Sequence, residues 1–195
     1  MARVPVLGAS VPQEGSRLSR AAGRWGLAAI GWGIEGQLAD IPRCVMIVAP
    51  HTSNWDFVVG YLAKLALGLR VTFIAKHTLF RGPLGAFLRW VGGIPIDRSE
   101  AGGVVERAVA LLRERAQLYL VVTPEGTRRK VERWKSGFYR IAQGADVPII
   151  PVAFDYAARC VRLNPAFVLT GRYEADLQEL QSWFSSAMAR DPARY

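Results

Sequence analysis

The sequence predicts an α/β fold: a single layered domain with a largely parallel central sheet flanked by helices. Short, continuous apolar runs at residues 45–49, 71–75, 118–123 and 149–154 have the character of strands covered on both faces. Stretches with helical apolar spacing separate them, and strands alternating with helices build a mostly parallel sheet. The chain has 195 residues, 51% hydrophobic and 21% charged, enough for one sizeable core and too apolar for a disordered polymer. Residues 16–195 are read as that one domain, and residues 1–15, with two prolines and no periodicity, as a loose N-terminal tail.

Arg17, Arg20 and Arg24 precede the apolar segment 25–34, which reads equally as a helix covering the core or as an interfacial segment anchored by Trp25 and Trp32. After the run at 45–49, Thr52, Ser53 or Asn54 supplies a cap for a helix over 55–67 that Gly68 ends. Leu84, Phe87, Leu88 and Val91 then repeat at i, i+3, i+4, i+7 behind Pro83 and mark a helix. Further helices are expected over 103–115, with Val104, Ala108, Leu111 and Leu112 as the apolar face, and over 137–143, ended by Gly144. Weaker strand signals lie at 160–163 and 167–170, and Leu177, Leu180, Phe184 and Ala187 or Met188 outline a last helix.

The longest stretch free of Asp, Glu, Lys and Arg is residues 44–55, twelve residues, shorter than the roughly 18 that a spanning helix needs. Of 25 basic residues 21 are Arg, and the formal net charge is +9. Such a surplus of planar, bidentate donors suits an anionic partner: a lipid surface, a phosphorylated small molecule or nucleic acid. Nucleic acid is disfavoured, because no helix-turn-helix, RNP-like or finger pattern is present. Cys44 and Cys160 are the only thiols and His51 and His77 the only imidazoles, so neither a disulfide framework nor a metal site is expected.

Sheets of this type place their sites beyond strand ends, and His51 lies just past the first strong strand, with Asp56 five residues on. On a regular helix i and i+5 lie about 140° apart, so the two meet only if His51 sits in the turn and Asp56 in the first helical turn. There the carboxylate would fix the imidazole tautomer and steady the imidazolium formed when His51 takes a proton; an Asp serving only the helix dipole is the alternative. Residues 123–130, Thr-Pro-Glu-Gly-Thr-Arg-Arg-Lys, follow another buried strand and combine a flexible glycine, a hydroxyl and clustered cations, as a phosphate-binding loop or a solvated basic turn would. Ser53 lacks a G-x-S-x-G elbow and is read as a capping residue.

The order of four blocks is more specific than any one of them. His51-x-x-x-x-Asp56, then Gly93-Ile94-Pro95-Ile96-Asp97-Arg98, then Pro124-Glu125-Gly126-Thr127-Arg128, then Val147-Pro148-Ile149-Ile150-Pro151 resembles the glycerolipid acyltransferase family that includes the 1-acyl-glycerol-3-phosphate acyltransferases, over residues 30–155. The chain departs from that pattern where Pro50 replaces an Asn, and where Thr123 and Arg129 replace a Phe and a Ser.

The resemblance implies a glycerol-3-phosphate acyltransferase-like fold and transfer of a fatty acyl group to a hydroxyl of a phosphate-bearing glycerolipid such as lysophosphatidate. His51 would be the general base and Asp56 its orienting partner. Arg98, Glu125, Gly126, Thr127 and Arg128 would bind the acceptor, Pro148 and Pro151 would serve the acyl donor, and Lys76 is a possible addition. The donor would be acyl-CoA or acyl carrier protein with no further cofactor, and the expected location is cytoplasmic, peripheral on the inner face of an anionic membrane. Two other readings stay open: a non-catalytic basic module that binds anionic lipid, and a thioester hydrolase on the same fold.

Overall fold

A computed structural model describes residues 4–96 and 101–195 of the chain. Seven strands form one sheet in the order β1-β7-β6-β2-β5-β3-β4. They are β1 Gly33–Gly36, β2 Arg43–Ala49, β3 Thr72–Lys76, β4 Gly93–Ile96, β5 Leu118–Val122, β6 Ile149–Asp155 and β7 Cys160–Leu163. Every pairing is parallel except β6 with β7, so β2 to β6 all end at the same edge. The helices are α1 Arg17–Ala29, α2 Trp55–Leu67, α3 Gly82–Trp90, α4 Ala101–Glu114, α5 Gly137–Ala145 and α6 Tyr173–Ser182.

Because strand side chains alternate faces, each apolar strand feeds two cores. Cys44, Met46 and Val48 of β2 enter a cluster with Leu27 of α1 and Val59, Ala63 and Leu67 of α2. Val45, Ile47 and Ala49 enter a second cluster with Ala108 and Leu112 of α4, Phe138 and Ile141 of α5 and Leu180 of α6. Gly23 lets α1 cross α2 closely, since a Cβ there would stand 2.3 Å from the Ala66 nitrogen.

Several boundaries differ from expectation. Residues 4–15 are tied down: Val11 is buried, Glu14 N–H donates to Gly68 O at 2.9 Å and Arg70 N–H to Pro12 O at 2.9 Å. The segment 25–34 divides; α1 stops at Ala29, Gly31 turns the chain at φ 71°, and Ile34 enters β1 beside β7. Trp32 is buried while Trp25 is exposed, so only one of the two proposed anchors faces outward. Helix α5 runs past Gly144 because Asp146 supplies the left-handed C-cap, at φ 54°. Residues 167–170 form no strand: Phe167 exchanges one pair of backbone hydrogen bonds with Ile149, and Thr170 is then captured by Asp176 through its N–H and hydroxyl. Helix α6 ends at Ser182, leaving Phe184 packed on Trp134 with ring centroids 5.5 Å apart, and residues 186–188 form a separate 3-10 turn.

Candidate active site

The parallel strands β2, β5 and β6 bring three loops to one edge of the sheet. His51 follows β2, Asp56 lies in the first turn of α2, and the imidazole Nδ1 stands 3.0 Å from Asp56 Oδ2. Asp56 is almost fully buried, at 1% side-chain exposure, whereas His51 keeps 20%, so the ring is held from behind and open in front. Asp56 Oδ2 also accepts Ser53 N–H at 2.9 Å, and Oδ1 accepts the Tyr156 hydroxyl at 2.6 Å. A buried carboxylate with three donors is satisfied and fixed in direction. Burial and the Asp56 hydrogen bond hold the Tyr156 hydroxyl far above its ordinary titration range, so it remains a donor. In the neutral imidazole, an Nδ1–H donated to Asp56 leaves the lone pair on Nε2.

The loop after β5 closes the other side. His51 backbone N–H donates to Glu125 Oε1 at 3.0 Å, while Glu125 Oε2 is buried with no hydrogen-bond partner among the described residues. Burial pushes the Glu125 carboxyl above its ordinary value, the nearby Asp56 adds to this, and the His51 N–H opposes it. Gly126 takes φ 65°, donates to Thr123 O at 3.0 Å and turns the loop, and Lys135 N–H donates to Pro124 O at 2.9 Å. Thr127 Oγ1 accepts Arg129 N–H at 3.3 Å. Exposed Arg128 reaches across to the Asn54 side-chain oxygen. A small cavity of about 160 Å³ opens between Glu125, Trp134 and the chain's last residues, Arg194 and Tyr195. A larger, shallow concavity of about 600 Å³ lies between α4 and α5 and contains none of the motif residues.

Lys76 ends β3 at the same sheet edge. Arg98 lies outside the described residues. Pro148 and Pro151 do not join the His51 site. Pro151 pairs with Ile47 and Pro148 precedes the Ile149–Val45 pair, which places them about 7 and 17 Å back along the strands from Ala49. Their visible roles are structural: Pro148 O accepts Val45 N–H, and Pro151 O accepts Asn164 N–H just where β7 has ended. A proline has no N–H to return across that rung, which fits the ladder's stop at Leu163. The helix cap is also divided: Asn54 occupies the N-cap but its side chain makes no capping bond among the described residues, and Ser53 Oγ accepts Trp55 N–H at 3.2 Å.

Sequence reasoning misses Tyr156, which sits just past β6 at the carboxyl edge; the strand-end rule points to that position but not to its partner. Among the described residues no cluster of His, Cys, Asp and Glu could hold a metal ion, and both cysteines are free and buried.

A seven-stranded α/β sheet with an imidazole–carboxylate pair and a Glu-Gly-Thr-Arg loop at one edge defines the class. The acyltransferase family model matches residues 37–155, and the chain belongs to that family. It is 32% identical over 124 residues to a probable 1-acyl-sn-glycerol-3-phosphate acyltransferase of Mycoplasma pneumoniae, covering 58% of this chain and 45% of that one. It is 31% identical over 124 residues to the 1-acyl-sn-glycerol-3-phosphate acyltransferase of Escherichia coli, covering 60% and 49%. The chain thus spans about half the length of these curated relatives. The crystal structure of the 1-acyl-sn-glycerophosphate acyltransferase PlsC from Thermotoga maritima shares the fold, with a TM-score of 0.59 and 19% identity over 86% of this chain and 75% of that one.

Proposed function

We propose that this protein transfers a fatty acyl group from an acyl thioester, of coenzyme A or acyl carrier protein, to a hydroxyl of a phosphate-bearing glycerolipid such as lysophosphatidate. The observation that carries this reading is the partly open imidazole of His51 held by buried Asp56 at 3.0 Å. A thioester is already activated, so the chemistry needs oriented reactants and a base. His51 Nε2 takes the acceptor's hydroxyl proton as its oxygen attacks the thioester carbonyl carbon. The C–S bond then breaks, and the imidazolium returns the proton to the departing sulfur. Asp56 holds the ring through both transfers. Glu125, Gly126, Thr127 and Arg128 line the acceptor side, Arg128 offering a charge-assisted donor to phosphate, and Arg98 keeps the acceptor-binding role that the order of blocks gives it.

Contact with an anionic membrane surface belongs to the same reading. Among the described residues no helix is long and apolar enough to cross a membrane. Yet α2 and α3 expose Trp55, Phe57, Leu84, Phe87 and Trp90 on a chain of net charge +9. Phe57, Phe87 and Trp90 form a chain of ring contacts with centroids 6.1–6.2 Å apart, giving a continuous aromatic face rather than scattered side chains. Such a face with cationic surroundings suits a headgroup layer.

The test is purified protein given acyl-coenzyme A and lysophosphatidate, with thiol release and the diacyl product measured together. Product formation that needs the acceptor supports the reading. Thiol release at an equal rate without acceptor would make the protein a hydrolase, and no release would remove the enzymatic reading.

A further inference from the structure

Arg190 lies well beyond the stretch matched by the family model, yet it stands at the catalytic turn. The backbone on both sides of it is pinned there. Tyr156 N–H donates to Met188 O at 2.9 Å, and Asp191 N–H donates to Thr52 Oγ1 at 3.3 Å, next to His51. Ala189 between them is buried. Thus the chain's terminal segment is anchored across residues 52–56, and the Arg190 side chain is delivered to a fixed place.

At that place the guanidinium lies over the Trp55 ring, 5.1 Å from its centroid, with Nη1 3.5 Å from Ser53 Oγ. It also acts on the Tyr156 hydroxyl, the group that donates to Asp56. Among the described residues it forms no ion pair with a carboxylate: Asp191 turns instead to Arg194 at 2.8 Å. An arginine carries five donors in a rigid fork, and Trp stacking fixes its plane while leaving its edge for a ligand. Arg128, for its part, reaches Asn54 in the same turn. Two guanidinium groups, one from the loop after β5 and one from the terminal segment, therefore converge on the turn 53–55, beside the imidazole.

We propose that Arg190 is an acceptor-binding residue that, together with Arg128, grips the acceptor's phosphate and so presents its hydroxyl to His51. This rests on the acyl-transfer reading above for the identity of the acceptor. The chemistry recognised is a phosphate monoester; the donor's coenzyme A phosphates are the other possible source, and the kinetic arms below separate the two.

The experiment compares wild type, Arg190→Gln and Arg190→Lys in two assays, after a thermal melt shows that all three fold alike. In steady-state kinetics Arg190→Gln should raise the KM for lysophosphatidate about tenfold or more while leaving the acyl-coenzyme A KM unchanged, the size expected for losing a charge-assisted hydrogen bond. Arg190→Lys should recover only part, because the bidentate fork is lost. Monoacylglycerol, which lacks the phosphate, should lose less on going from wild type to Arg190→Gln than lysophosphatidate does, whatever common loss the variant suffers through the Tyr156 hydroxyl. In the second assay glycerol 3-phosphate is titrated into the protein with no donor present, and Arg190→Gln should weaken its binding by a similar factor. An unchanged lysophosphatidate KM, or a rise confined to the donor KM, overturns the assignment while the acyl-transfer reading survives. Arg190-dependent binding of glycerol 3-phosphate by a wild-type protein that transfers no acyl group would keep the anion site and sink the acyl-transfer reading. Absence of both binding and turnover overturns both.

Discussion

The backbone N–H of His51 donates to the carboxyl of Glu125 at 3.0 Å, so the loop that follows β5 holds in place the residue that follows β2. The same carboxyl leaves its second oxygen buried and, among the described residues, unpaired, which makes Glu125 both a brace for His51 and a group under electrostatic cost. Bracing and cost can be separated. In Glu125→Gln the amide oxygen can still accept from His51 while the titrating charge is gone. Burial raises the folded carboxyl's pKa above its unfolded value, so this group's contribution favours the folded state at low pH and is lost as pH rises through the raised value. The variant should therefore gain in melting temperature relative to wild type as pH goes from about 4 to 8, within the carboxylate titration window. A difference that is flat with pH would show that the carboxyl is not perturbed.

Tyr156 supplies one of three donors to Asp56, at 2.6 Å. Removing the hydroxyl in Tyr156→Phe should lower stability by about 1–3 kcal/mol, the range for a hydrogen bond to a charged acceptor. Chemical denaturation gives the number. Turnover should fall with it, because Asp56 loses part of what aims it at His51; a variant with wild-type stability would show that the hydroxyl spends its time elsewhere.

Gly126 adopts φ 65°, and a Cβ there would meet the Lys135 side chain at 3.0 Å. Gly126→Ala should cost about 1–2 kcal/mol, the penalty of a left-handed conformation for an L-residue. It should also raise the acceptor KM through displacement of Arg128. Paired melts and kinetics check both, and an unchanged KM would place the loop outside the acceptor site.

The aromatic face of α2 and α3 gives a prediction independent of the chemistry. Replacing Phe87 and Trp90 together by Ser should weaken co-sedimentation with anionic vesicles about tenfold or more, while cleavage of a short, water-soluble acyl-coenzyme A by acceptor-dependent transfer persists. Vesicle binding equal to wild type would assign those rings to some other contact.

Much of this arrangement is legible in the sequence where one local rule decides it. The strand at 43–49 and the helix at 55–67 are announced by a continuous apolar run and by the ending glycine Gly68, and their junction confines His51 and Asp56 to one turn. What stays hidden depends on tertiary pairing. The four residues of β1 have no periodicity of their own and become a strand only beside β7. Tyr156 and Arg190 reach the site from segments 100 and 137 residues away in the contacts they make, a separation that no local pattern reports. Pro148 and Pro151 show how order and place differ: a motif block can follow the others in sequence while it stands at or within a strand, back from the imidazole.

The most direct measurement is single-turnover acyl transfer by His51→Ala and Asp56→Asn, each shown to be folded by its melt, against wild type. Loss of the general base should slow transfer by about 10²–10⁴-fold in His51→Ala, with Asp56→Asn also impaired because the tautomer is no longer held. Transfer by His51→Ala at the wild-type rate, with acceptor bound normally, would contradict the account at its centre.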